Sequence, residues 1–139
     1  MKKYLVIGNP IEHSLSPKLH NYWLKKYNIN GIYEKKLLEK KDLKSLIKEI
    51  KEKKIQGINI TVPFKSEMYK ALEEDPESEI SSTVEYTKSV NTIYLNKNGK
   101  IFGDNTDVEG FIKSLGHIKY NPNGKVVLIL GAGGVVPSI

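Results

Sequence analysis

Residues 42–65 read DLKSLIKEIKEKKIQGINITVPFK. In the first half Leu43, Leu46, Ile47 and Ile50 recur at i, i+3, i+4 and i+7. That is one apolar stripe of a 3.6-residue period with lysines on the outer face, and it predicts a helix from Asp42 to Lys53 lying over a sheet. The second half changes character. Gln56 to Thr61 alternates isoleucine with polar residues and reads as a strand. Val62-Pro63 ends it, and a further helix is predicted from Lys65 to Glu73. A helix feeding a strand that feeds a helix is the repeating unit of an α/β fold.

Outward toward the N-terminus, Gly31 to Leu38 reads as a strand, and Ser16-Pro17 as a helix start with serine as N-cap and proline at the first helical position. Leu19, Tyr22, Trp23 and Lys26 follow at helical spacing, and Lys3 to Gly8 is a buried strand closed by Asn9-Pro10. Outward toward the C-terminus, Glu74 to Lys88 is polar and weakly periodic and reads as loop with at most a short helix. Val90 to Asn96 and Lys100 to Asp104 flank Lys97-Asn98-Gly99 as a β-hairpin. Asn105 or Thr106 caps a helix running to about Leu115, with Gly116 at its end. The expected fold class is α/β, an open and mostly parallel three-layer sandwich with one antiparallel hairpin.

Asn121-Pro122-Asn123-Gly124 marks a composition shift. It divides the chain into residues 1–118 as one domain and residues 119–139 as the opening of another. In the latter, Lys125 to Leu130 is a continuous apolar strand pattern, and Gly131-Ala132-Gly133-Gly134 then opens a helix. Such a strand, lacking partners of its own, would be disordered, added to the first sheet or paired with a second copy, so a homodimer through it is an expectation.

At 139 residues the chain holds one full-sized domain. Its hydrophobic fraction of 39% and charged fraction of 27% are ordinary for a globular protein. No apolar run approaches the roughly 20 residues that cross a bilayer, and the apolar stretch after Met1-Lys2-Lys3 is too short for a signal peptide, which places the chain in the cytoplasm with no membrane partner. Cysteine is absent, which excludes disulfides and thiolate metal sites, and no metal is expected. The net charge of +6 invites a nucleic-acid reading. All the basic residues are lysine, however, and between Lys35 and Lys54 they interleave with Glu39, Asp42, Glu49 and Glu52. Without the bidentate fork of arginine this is a solvated face, and no nucleic-acid partner is expected.

Polar residues gather at predicted strand ends, where open α/β sheets collect ligands. Ser14 and Ser16 flank a helix start, a favourable place for a carboxylate, although capping by Ser16 is the plainer reading of the spacing. Asn59 and Thr61, two apart on one strand, face the same side, as a solvent edge or as the wall of a site. Lys65 follows the rigid Pro63-Phe64 turn; a lysine is solvated by default, but one held there could be partly desolvated. Asn105-Thr106-Asp107 is good capping chemistry, and Asp107 alone reads first as structural.

In order along the chain, Ser14-Leu15-Ser16-Pro17, Asn59 to Lys65, Ser89-Val90-Asn91-Thr92, Gly103 to Gly110 and Gly131-Ala132-Gly133-Gly134 closely resemble the shikimate dehydrogenase family, in register over the whole chain. The resemblance implies an NADP-dependent oxidoreductase of aromatic amino acid biosynthesis that reversibly reduces 3-dehydroshikimate to shikimate. It implies that Lys65 and Asp107 are catalytic and that Ser14 and Ser16 hold the substrate carboxylate. Asn59, Thr61 and Asn91 would lie by the polyol, and Gly131, Ala132, Gly133 and Gly134 would approach the NADP pyrophosphate. The chain departs from the pattern at Ser89, where a still smaller residue is usual, at Val136, the third small position of the glycine motif, and at Pro137. By this resemblance the chain is the substrate-binding half, cut off as the NADP-binding half begins and inactive by itself. Quinate as substrate and a non-catalytic binding domain stay open as alternatives.

Overall fold

The computed structural model describes all 139 residues, Met1–Ile139. Six strands form one sheet: β1 (Lys2–Gly8), β2 (Gly31–Leu37), β3 (Gly57–Ile60), β4 (Ser78–Ile80), β5 (Thr92–Leu95) and β6 (Ile101–Asp104). Five helices connect or follow them: α1 (Ser16–Lys26), α2 (Leu43–Lys51), α3 (Lys65–Glu73), α4 (Ser82–Thr87) and α5 (Asp107–His117). The sheet order is β2-β1-β3-β5-β6-β4. β1 pairs parallel with β2 and β3, β4 pairs parallel with β6, and β5 runs against both of its neighbours. The expected open α/β sheet with one antiparallel hairpin is therefore present. No helix is long and apolar enough to cross a membrane.

Side-chain alternation along β1 sorts the two layers that cover the sheet. Leu5 and Ile7 point into the main core with Ile58 and Ile60 of β3, and there meet Leu43, Leu46, Ile47 and Ile50 of α2 and Met68 and Leu72 of α3. The apolar stripe read from the sequence is the face that is buried, and Leu46 and Ile50 are wholly inaccessible to solvent. Tyr4 and Val6 point the other way and pack with Ile11, Tyr33 and Leu24 beneath α1. α1 itself buries none of its residues, leaving Tyr22 and Trp23 exposed on that side.

Five expectations need correcting. The N-cap of α1 is Leu15 rather than Ser16, and Ser14 supplies the local acceptor, its Oγ taking the Ser16 N–H at 3.3 Å. The stretch from Glu74 to Lys88 is more ordered than loop: Ser78–Ile80 adds to the edge beside β6, and Ser81 caps α4 by accepting the Val84 N–H. Gly116 lies within α5, which ends one residue later, and the left-handed residue beyond it is Lys119 at φ 54°. Lys125 to Leu130 forms no strand; it pairs with none of the six and leaves Val126, Leu128 and Leu130 exposed. An apolar run without alternation needs cover on both faces, and the sheet already ends in β2 and β4. The glycine cluster after it leads only to a single 3₁₀ turn, Val136–Ser138, with Pro137 inside it.

Gly8 ends β1 where the backbone comes closest to the loop after β3. A β-carbon there would stand 2.6 Å from Thr61 Cγ2 and 3.0 Å from the Val62 carbonyl oxygen. Gly8→Ala is expected to cost roughly 1–3 kcal/mol, an overpacking penalty read from the urea midpoint, and to shift the Thr61 methyl resonance.

Candidate functional site

In a mostly parallel sheet the carboxyl ends of the strands lie along one edge. β1 delivers Ser14 and Ser16 there, β3 delivers Thr61 and Lys65, and β6 delivers Asn105, Thr106 and Asp107. β5, running in reverse, brings its first residues to the same edge and so delivers Asn91.

The central contact joins Lys65, the first residue of α3, to Asp107, the first residue of α5: Nζ to Oδ2 is 2.6 Å. The side chains are only 14% and 28% exposed. An ammonium in the first turn of a helix faces the unpaired N–H groups unfavourably, whereas a carboxylate there is favoured. Pairing the two lets the end of α5 offset the cost at the end of α3. Asp107 is fixed from behind, since its N–H donates to Asn105 Oδ1 at 2.9 Å. Lys65 is fixed through its carbonyl, which accepts the Val90 N–H at 3.1 Å.

Asn91 is 7% exposed. Its Nδ2 donates to Thr106 Oγ1 at 3.0 Å, and its Oδ1 accepts the Thr106 N–H at 3.0 Å and the Thr92 hydroxyl at 2.9 Å. The residue before Asp107 is thereby tied to the first residues of β5. Ser14, Ser16 and Thr61 line one cavity of about 260 Å³ together with His13. Asn59 shares their face of the sheet, as its two-residue offset from Thr61 requires, but lines the adjoining aromatic groove with His20, Trp23 and Tyr94. Its carboxamide is fully engaged. Oδ1 accepts the Tyr33 hydroxyl at 2.6 Å, and Nδ2 donates to Thr92 Oγ1 at 3.1 Å and to the Asn91 carbonyl at 3.4 Å. Burial pushes the Tyr33 phenol above its ordinary range and holds His20, stacked on it at 4.2 Å, below the usual imidazole value. Both therefore stay neutral near pH 7, and Tyr33 remains a donor to Asn59.

Gly131 takes φ 122° and leads through Ala132 into a turn from Gly133 to Val136, closed by the Val136 N–H donating to the Gly133 carbonyl at 3.0 Å. Around Gly131 and Gly133 a β-carbon would meet nothing, whereas at Gly134 it would come 3.9 Å from Lys65 Cβ. The turn thus rests against the ion pair at one end and is open at the other. Tyr33, Thr92 and Ser138, which hold these groups in place, were missed by sequence reasoning. Each acts across a long sequence separation and carries no local signature.

The geometry defines an open α/β domain that collects hydroxyls, carboxamides and one ammonium–carboxylate pair along a single sheet edge. The chain belongs to the shikimate dehydrogenase substrate binding domain family, whose model matches residues 6–93. It is 56% identical to the NADP(+) shikimate dehydrogenase of Pelagibacter ubique over 99% of this chain and 50% of that protein. To the enzyme of the same description from Pyrococcus furiosus it is 43% identical, over 99% of this chain and 48% of that one. Among solved structures, shikimate dehydrogenase from Aquifex aeolicus superposes with a TM-score of 0.87 at 36% identity, covering 100% of this chain and 50% of that one. The Thermus thermophilus enzyme in complex with shikimate gives 0.84 at 31% identity, covering 100% and 51%. The chain spans about half the length of the relatives it matches.

Proposed function

We propose that this chain is the substrate-binding part of an enzyme that interconverts 3-dehydroshikimate and shikimate with NADP(H). The observation that carries the reading is the half-buried Lys65–Asp107 pair at the sheet edge shared with Ser14, Ser16, Thr61 and Asn91. Ser14 and Ser16, beside the start of α1, hold the substrate carboxylate, Thr61 meets a ring hydroxyl, and Asn91 reaches another through the one Nδ2 hydrogen that Thr106 leaves free. Asn59, its amide already saturated, acts through Thr92 and Asn91. Reduction of a ketone leaves negative charge on oxygen, which needs a proton and a cationic field. The Lys65 ammonium donates that proton, and Asp107 keeps the side chain charged and aimed.

NADPH supplies the hydride when bound. The open approach to Gly131 and Gly133 and the positive φ of Gly131 fit a pyrophosphate drawn close to the backbone, so Gly131, Ala132, Gly133 and Gly134 would hold that part of the cofactor. In this reading residues 1–118 form the substrate domain and residues 119–139 open the nucleotide-binding part. The 139-residue chain alone would bind shikimate without turning it over, in the cytoplasm. The exposed run from Lys125 to Leu130 would be where two copies associate.

Titration of the isotope-labelled chain with shikimate tests the reading. Resonances of Ser14, Ser16, Thr61, Lys65, Asn91 and Asp107 should move saturably, and the double change Ser14→Ala, Ser16→Ala should weaken binding by roughly a hundredfold or more, the cost of two hydrogen bonds to a charged group. Absence of saturable shifts, or shifts confined to the aromatic groove around Trp23 and Tyr94, would overturn it.

A further inference from the structure

A closed ring of contacts runs through the ion pair and the glycine turn. Asn105, 4% exposed, sits at its centre. Its Oδ1 accepts the Asp107 N–H at 2.9 Å, while its Nδ2 donates to the Ser89 carbonyl at 2.9 Å and to Ser138 Oγ at 3.0 Å. Ser138 closes the short turn after the glycines, its own N–H donating to the Val135 carbonyl at 2.8 Å. From the other end of that segment, the Gly134 carbonyl accepts the Ser89 hydroxyl at 3.1 Å. Val90, next to Ser89, donates to the Lys65 carbonyl, and Lys65 returns to Asp107. Segment 134–138 is therefore fastened twice: at Ser138 to the residue that fixes Asp107, and at Gly134 to the strand entry that fixes Lys65. Ser138 is 3% exposed and Ser89 2% exposed, so neither hydroxyl has water as an easy substitute partner.

We infer that Asn105 and Ser138 form a latch that couples the position of the glycine turn to the geometry of the Lys65–Asp107 pair. Asn105 is a positioning residue. Its carboxamide cannot follow a displaced Ser138 without loosening the bond to the Asp107 N–H, and Asp107 sets the aim of the Lys65 ammonium. A ligand that seats itself on the glycine turn would thus tighten the pair, and one that lifts the turn would slacken it. That the pair is the reacting one rests on the function proposed above; the coupling itself does not.

The test uses the full 139-residue chain and no ligand. Hydrogen exchange is measured at the Lys65 ammonium and at the Asp107 amide, with the Lys51 ammonium as internal control, since Asp75 and Glu77 hold it at 2.9 and 2.8 Å away from this ring. Ser138→Ala is expected to speed exchange at Lys65 and Asp107 by roughly five- to tenfold, the weight of one buried hydrogen bond, and to leave Lys51 unchanged. Ser89→Ala, which removes only the Gly134 fastening, should act in the same direction. Asn105→Ala risks unfolding and is not needed. Faster exchange at Gly134 and Val136 with Lys65 and Asp107 unmoved would overturn the coupling, as would equal acceleration at Lys51, the mark of general loosening. No change anywhere would show that the fastening is absent and would overturn it too. A shikimate titration of the same samples separates the two proposals. Failure to bind with the exchange pattern intact defeats the function and leaves the latch.

Discussion

Lys65→Ala, made in a protein that also carries the nucleotide-binding half, is expected to lower kcat for shikimate oxidation by about 10²–10⁴-fold, the usual worth of a positioned general acid or base. KM should stay within about threefold, because in the proposed function Ser14 and Ser16 hold the substrate and the ammonium matters most once charge develops on the oxygen. The geometry argues for this split. The side chain is 14% exposed, so water replaces it poorly as a proton source, and its carboxylate partner lies at 2.6 Å. Absorbance of the reduced nicotinamide gives both constants. A loss shared equally between kcat and KM would make Lys65 a binding residue instead.

Leu46→Ala should destabilise the fold by about 3 kcal/mol, within the range for a buried leucine whose cavity cannot collapse. Leu46 is 0% exposed and belongs to the main core, with the leucine and isoleucines of β1 and β3 and the other apolar residues of α2. Against a total stability of order 5–15 kcal/mol that is a large fraction, and the urea midpoint should fall with the slope unchanged. Lys48→Ala, on the exposed side of the same helix, should move the midpoint by no more than about 0.5 kcal/mol. Equal effects would mean that α2 does not pack as described.

Both expectations rest on features that were legible at different levels. The stripe of α2 was plain because burial on one face dictates a period, and the period is written in the residues themselves. The segment Ser78–Ile80 was not, because a three-residue strand has no room to show alternation, and its pairing with β6 is settled by contacts across the chain. Ser16 read as a cap by residue type, yet it is the first helical residue, the cap position falls on Leu15 and the cap-like acceptor is Ser14, a choice made by where the chain leaves β1. Lys125 to Leu130 had the composition of a strand but found no partner, since composition states a preference and a sheet edge must satisfy it. At the site, the positions of Lys65 and Asp107 followed from a resemblance spread over several motifs, whereas the Tyr33 hydroxyl on Asn59 joins β2 to β3 across β1 and nothing local announces it.

The reversed direction of β5 has an architectural consequence. Because β5 and β6 form a hairpin, both of its feet, Asn91 and Asn105, stand at the polar edge, while its tip from Asn96 to Lys100 projects from the opposite rim. Lys97, Asn98 and Gly99 are exposed, and a β-carbon at Gly99 would meet nothing within 4 Å. The side chains at the ends of the tip, Asn96 and Lys100, bond outside the hairpin only to Glu79, so lengthening or recoding the three central residues would perturb neither foot. Variation among descendants, or a grafted epitope, has a natural home there, mechanically insulated from the chemistry.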